Sequence, residues 1–392
     1  MKNRIKSLAS EYAPDLISYR RHLHSHPELS FQEYETAKFI RQKLDEYGIQ
    51  YRSGVAGTGI VALIEGKNPS SKVIALRGDI DALPIEEANE VPYKSQNRGI
   101  MHACGHDVHT TVALGAARIL QQVRDEFEGT VKILFQPGEE KHPGGASLMI
   151  QDGALENPVP QAILGLHVHP GLEAGKLGFH AGKYMASADE IYITVKSKGG
   201  HAAAPHLTAD TILIASNLVV SLQQIISRNN DPFSPSVLSI CAFNGGFTTN
   251  VIPSEVKLMG TFRAMDETWR FKAHELVRKQ ATELVHAMGA EIDIDILVGY
   301  PTLYNNEAVT TTARKLAEEY MGPDLVGDTE MRMGAEDFSF YSQVIPACFF
   351  RLGIRNEAKG ITAGVHTPRF DVDEQCLEVG AGTMAYLATQ FK

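Results

Sequence analysis

The chain has 392 residues, of which 43% are hydrophobic and 21% charged. At roughly 150 residues per domain it is too long for one ordinary core, so at least two domains are expected. A formal charge of -10 without a Lys/Arg cluster argues against a nucleic-acid partner, and no run approaches the ~18 apolar residues of a membrane span. The four cysteines, Cys104, Cys241, Cys348 and Cys376, are too dispersed for a disulfide-stapled secreted domain and are expected to be reduced.

The N-terminal "MKNRIKSLASEYAPDL" carries positive charge with no apolar segment behind it. It does not read as a secretory signal, which makes the cytoplasm the expected location. "FQEYETAKFIRQKLDEYG" has helical apolar spacing and a stopping glycine, Gly48. "KVIALRG", "TVKILFQ" and "AILGLHV" are short apolar runs separated by helical stretches such as "TTVALGAARILQQV". This rhythm predicts an α/β domain with a mostly parallel sheet, in which ligands sit beyond the carboxyl ends of the strands.

From about residue 184 the pattern changes to strand "DEIYITVKSKG", helix "TADTILIASNLVVSLQQIISR", strands "SPSVLSICAFNGG" and "SEVKLMGTFRA", helix "ETWRFKAHELVRKQATELVHAMG" and strand "AEIDIDILVGY". The order βαββαβ matches a ferredoxin-like unit inserted into the first domain. The predicted division is 1–183 with 300–392 for the α/β domain and 184–299 for the insert. Helix "NEAVTTTARKLAEEYMG", strand "ACFFRLGI" and a final helix complete the α/β layer.

The predicted strand ends collect acids and imidazoles. Asp79 and Asp81 follow the first run, Glu139 and Glu140 the second, His167 and His169 the third, and His366 lies in the loop after "CFFRLGI". Each alone has a bland reading as a turn acid, a surface doublet or a core histidine. Gathered at one sheet edge they would be buried charges costing several kcal/mol per ion, roughly, unless a cation is bound. Adjacent glutamates leaving an extended segment point different ways, so one can bind metal while the other faces a water as general base. Two ions ~4 Å apart can share that water and lower its pKa to near 7.

The nine residues "MHACGHDVH" (101–109) admit three readings. Cys104 could be a nucleophile paired with a histidine, although no orienting Asn or Asp is evident. The segment could be a helix start with Asp107 as N-cap. The reading favoured is metal ligation by Cys104 and His106, with Gly105 permitting a turn that aims alternate residues at one point. There is no CxxC pair and no HExxH. The alternate histidines of "RRHLHSHPELS", His22, His24 and His26, read as structural.

"RGDIDALP", "MHACGHDVH", "FQPGEE", "GLHVHP", "KGGHAAAPH", "NVIP", "GAEDFSFY" and "HTPRF", in this order over nearly the whole chain, resemble the aminoacylase/carboxypeptidase family of dinuclear metallohydrolases. Within it they look like the N-acyl-amino-acid amidohydrolase branch, with hippurate hydrolases, N-acetyldiaminopimelate deacetylases and auxin-conjugate hydrolases. The resemblance implies two divalent ions per subunit (Zn, Ni, Co or Mn). It implies Cys104 as bridging ligand, with His106, Glu140, His167 and His366 as the others and Glu139 as general base. Where the wider family has HxD, this chain has Asp79-x-Asp81, which removes the expected histidine and leaves Asp79 without a role. Asp81 is a candidate supporting group behind the ligands.

The resemblance also implies that the insert is a lid and dimerisation domain. It would supply His201 to the developing oxyanion and Asn250 and Arg263 to a substrate carboxylate, in a homodimer. His102, His109 and His169 are left as supporting or capping groups, and Cys241, Cys348 and Cys376 as small core residues. The expected activity is hydrolysis of the amide of a small N-acyl-amino acid. A dipeptidase or carboxypeptidase with the same site is one rival, and a non-catalytic metal-dependent binding or thiol-sensor protein is another.

Overall fold

The computed structural model describes residues 1–391. It divides into two compact units, one of Met1–Gly182, Tyr304–Glu330 and the chain from Asp337 onward, the other of Lys183–Leu303 with Met331–Glu336.

The first unit opens with helix α1 (Lys2–Ser25), whose buried Ile5, Leu8, Tyr12 and Leu16 recur every three or four residues and form one apolar stripe. Helix α2 (Tyr34–Tyr47) stops at Gly48, which takes the left-handed conformation with φ 68° that glycine adopts without steric cost. Strands β1 (Gln50–Val55) and β2 (Gly59–Glu65) follow, then β3 (Val73–Asp79), helix α3 (His106–Gln122), β4 (Thr130–Gln136), β5 (Ala162–Glu173) and β6 (Leu177–Phe179). Their eight-stranded sheet runs β1, β2, β4, β3, β5, Ala347–Arg355, β6, Val326–Asp328.

The central pairs β4/β3, β3/β5 and β5 with Ala347–Arg355 are parallel. All seven residues of β3 and of β4 are buried, as expected of strands covered on both faces. The sheet is mixed but mostly parallel, as the sequence reading expects. β1, β2 and β4 pair antiparallel; between β1 and β2 the connection Ala56–Thr58 is too short for a crossover. Ala347–Arg355 is also antiparallel to β6. α1, α3 and the final helix Gln375–Gln390 pack on one another.

The second unit has a four-stranded antiparallel sheet in the order Ser236–Asn244, Glu255–Ala264, Asp189–Lys196, Glu291–Val298. With helices Thr211–Gln224 and Glu267–Ala287 between the strands, this is the βαββαβ arrangement of a ferredoxin-like fold. Its own core includes Ile191, Ile193, Leu218, Val256, Phe262 and Val277. Cys348 and Cys376 are buried as expected, but Cys241 is exposed. Leu238 and Ile240 face the core, so Cys241, the next residue, lies on the outward face of its strand, at the register shift between Ile240 and Ala242.

Candidate metal centre

The acids and imidazoles named at the strand ends of the first unit, His169 apart, converge. β3 ends in Asp79 and the chain continues to Asp81; α3 begins at His106, two residues after Cys104; β4 is followed by Glu139 and Glu140; His167 lies in β5. His366 sits in the last loop with φ 61°, an uncommon conformation for a non-glycine residue. Its backbone N–H donates to the Ala103 carbonyl at 2.8 Å, which ties that loop to the turn carrying Cys104. Gly105 in that turn has φ 85°, and a Cβ there would stand 2.6 Å from Val168 Cγ2. Only glycine satisfies both demands.

Cys104 is the common member of two donor groups. The donor atoms of Cys104, His106 and His167 lie within 4.8 Å of one another, and so do those of Cys104, Glu140 and His366. Cys104 Sγ is 3.3 Å from Nε2 of His167 and 3.3 Å from Nε2 of His366. His366 Nε2 is 3.1 Å from Glu140 Oε1. Thiolate and imidazole on one tetrahedral zinc would stand about 3.5 Å apart, given bond lengths of about 2.3 and 2.0 Å.

The hydrogen bonds assign the ring nitrogens. His167 Nδ1 donates to the Val168 carbonyl at 2.8 Å, leaving Nε2 as the lone pair facing Cys104. His106 Nδ1 faces the Asp81 carbonyl at 3.0 Å and Asp81 Oδ1 at 3.1 Å. Its Nε2 is buried without a hydrogen-bond partner among the described residues. The nearest acids, Asp79 Oδ2 at 3.6 Å, Glu140 Oε1 at 3.9 Å and Glu139 Oε2 at 4.0 Å, are too far to accept from it.

The electrostatics favour positive charge at this site. Burial pushes the Cys104 thiol well above its usual value, and Glu140, Glu139 and Asp79 push it further. A thiolate therefore needs added positive charge. Burial alone would keep His106 neutral, but the Asp79 and Asp81 carboxylates raise it to about 10. The proton this adds belongs on Nε2, the nitrogen a metal ion would take. An orphaned imidazole nitrogen, a thiol among carboxylates and donor spacings near 3.3 Å fit divalent metal ions.

The remaining predicted residues separate by unit. Asp81 is fully buried. Its Oδ2 accepts from Ser30 Oγ at 2.6 Å and from the Glu140 N–H at 3.0 Å, so one carboxylate braces both His106 and Glu140. Glu139 Oε1 accepts from the Asp337 N–H at 3.3 Å. Asp337 is itself held by Arg77 and Gln136. His201, Asn250 and Arg263 belong to the second unit. His201 and Asn250 are exposed neighbours, since His201 pairs with Val251 and the Ala202 N–H donates to the Asn250 carbonyl at 3.0 Å. Arg263 is half-buried, with Nε donating to Thr261 Oγ1 at 3.2 Å.

Asp107 is not the N-cap. Gly105 caps α3 without a side-chain hydrogen bond, and the Asp107 carboxylate accepts from Arg20 Nε at 2.8 Å and faces His24 Nδ1 at 2.8 Å. His24 also reaches Glu87 at 3.2 Å, so this histidine is structural, while His22 and His26 lie at the surface. His102 is buried, neither ring nitrogen has a hydrogen-bond partner among the described residues, and burial lowers its pKa to about 4. His169 is half-buried. The sequence reading missed Glu33, which is fully buried and accepts from the Gly138 N–H at 2.9 Å and from Thr58 Oγ1 at 2.6 Å, anchoring the turn before Glu139. Nothing in "SFQEYE" marks it, because its partners are distant in sequence.

A family model described as peptidase family M20/M25/M40 matches residues 75–390. The N-acyl-L-amino acid amidohydrolase of Geobacillus stearothermophilus is 42% identical over 304 residues, covering 78% of this chain and 81% of that protein. Thermostable carboxypeptidase 2 of Saccharolobus solfataricus is 37% identical over 391 residues, covering 99% and 98%. Among solved structures, the Bacillus subtilis YXEP protein, described as a dinuclear metal binding peptidase from the M20 family, aligns with a TM-score of 0.84 at 34% identity, covering 97% of this chain and 98% of that one. The chain belongs to peptidase family M20/M25/M40 and is a metal-dependent hydrolase of amide bonds.

Proposed function

We propose that this chain hydrolyses the amide bond of small N-acyl-L-amino acids at a dinuclear centre that Cys104, His106, Glu140, His167 and His366 would hold. The observation that carries this reading is the membership of Cys104 in both donor groups, with Glu139 beside them. His106 and His167 complete one group, Glu140 and His366 the other. When bound, divalent ions supply Lewis acidity, which lowers the pKa of water and polarises an acyl carbonyl.

Glu139 takes the proton of the attacking water and hands it to the leaving amine. Asp81 keeps the His106 ring and the Glu140 backbone in place during these transfers. His201 donates to the oxygen of the tetrahedral intermediate, acting mainly in the transition state. Asn250 and the Arg263 fork hold the substrate carboxylate. The mixed thiolate, imidazole and carboxylate set suits Zn, Ni, Co or Mn.

The chain acts in the cytoplasm as a homodimer joined through the second unit. Exposed Val237 and Phe243 on its edge strand Ser236–Asn244 support that interface. Among the described residues no helix is long and apolar enough to cross a membrane.

The named carboxypeptidase relative favours a second reading, cleavage of peptides at the same site. Amine release from N-acetyl-, N-benzoyl- and indoleacetyl-amino acids, with unblocked dipeptides alongside, separates the two. Turnover of the acylated compounds with little of the dipeptides is expected. The reverse preference would select the peptidase reading.

A further inference from the structure

We propose that Asp79 and His109 are positioning residues that act on His167 by fixing the backbone of Val168. His109 lies in the first turn of α3 and is fully buried. Its Nδ1 is 2.6 Å from Asp79 Oδ1, so this nitrogen carries the proton. Its Nε2 accepts the Val168 N–H at 2.9 Å. Both ring nitrogens are thereby used, and His109 has no lone pair left for a metal ion, although its donor atoms lie within 4.8 Å of those of Asp79 and His106. Asp79 is used up in the same way, with Oδ1 on His109 and Oδ2 on Arg77.

Val168 is where this chain of contacts meets the centre. The ladder between β3 and β5 ends at Arg77 with Gly165, and past that end the Val168 N–H goes to His109. The carbonyl of Val168 accepts from His167 Nδ1, which fixes the tautomer of that ring and turns Nε2 toward Cys104 Sγ. The His109 ring also packs edge-on against His167, with centroids 4.6 Å apart. A carboxylate, an imidazole and the backbone of Val168, held at its N–H and used at its carbonyl, thus orient one ligand. Groups that orient ligands in this way typically change metal affinity about 10–100-fold.

The proposal rests on the reading of His167 as a metal ligand, and the test separates the two. Cobalt(II) is titrated into metal-free wild type and variants, and affinity is read by chelator competition together with the thiolate charge-transfer band. His109→Asn keeps a donor for Asp79 but cannot reach Val168. It is expected to weaken one of the two ions about 10–100-fold and shift the band, and His109→Gln, which can accept from Val168, is expected to restore both. The double variant with His167→Ala should lose no more than His167→Ala alone. Unchanged affinity and spectrum in His109→Asn, or losses that simply add to those of His167→Ala, would overturn the proposal. No loss of cobalt in His167→Ala would instead overturn the ligand assignment. Should His109→Asn not fold, the comparison of His109→Gln with Asp79→Asn decides. Wild-type affinity in both would overturn the proposal, and weakening in Asp79→Asn alone supports it.

Discussion

Glu139 is the residue on which the chemistry turns, because its carboxylate stands near the donors and is steadied by the Asp337 N–H. Replacing it by Gln keeps size and hydrogen bonding but removes the base. The expected result is a fall in kcat of about 10²–10⁴-fold with metal content unchanged by elemental analysis; hydrolysis within tenfold of wild type would remove Glu139 as the base. The cluster was legible in sequence because strand ends are local features and the sheet brings them to one edge. The fate of Asp107 was not. It stands where a helix cap is common, yet Arg20 and His24 reach it from 87 and 83 residues away, a pairing no local pattern encodes.

At the scale of elements, the turn into α3 is the most constrained. Gly105→Ala would demand φ 85° of an alanine and drive its Cβ into Val168 Cγ2. A loss of about 1–3 kcal/mol and weaker metal binding are expected, measured by thermal unfolding and cobalt titration; an alanine variant with wild-type values of both would mean the turn is not what aims Cys104 and His106. The central strands were read correctly from their apolar runs. Helix α1 was not identified, because Pro14 and a mostly polar composition mask an apolar spacing that is nonetheless present. The β1–β2 hairpin was missed for a different reason: Gly57 and Gly59 signal a turn, but an apolar run does not state the direction of its partner.

At the scale of the whole molecule, the second unit has its own core and its own buried ion cluster. Asp189 is buried and accepts from Arg270 Nε at 2.9 Å and from the Gly299 N–H at 3.0 Å, and it faces His274 Nε2 at 2.8 Å. Burial alone would raise its pKa, but Arg270 and His274 hold it below the usual value. Its contribution is therefore fully present above the unfolded value of about 3.9 and is lost as pH falls below it. Asp189→Asn should cost about 3 kcal/mol at neutral pH, a gap that closes below about pH 4. Chemical denaturation across pH tests this, and a gap that stays constant into acid would refute the assignment. The βαββαβ order was readable because each element carries a clear period, 2 for strands and 3.6 for helices.

The account stands or falls on the dinuclear centre. Metal-free protein is titrated with a single divalent ion while bound metal and hydrolysis of an N-acetyl-amino acid are followed in the same samples. Activity is predicted to be absent without metal, to rise with added ion and to level off at two ions per chain, with Cys104→Ala failing to reach that plateau. Full activity in chelator-treated protein, or a plateau at a single ion unaffected by Cys104→Ala, would contradict it.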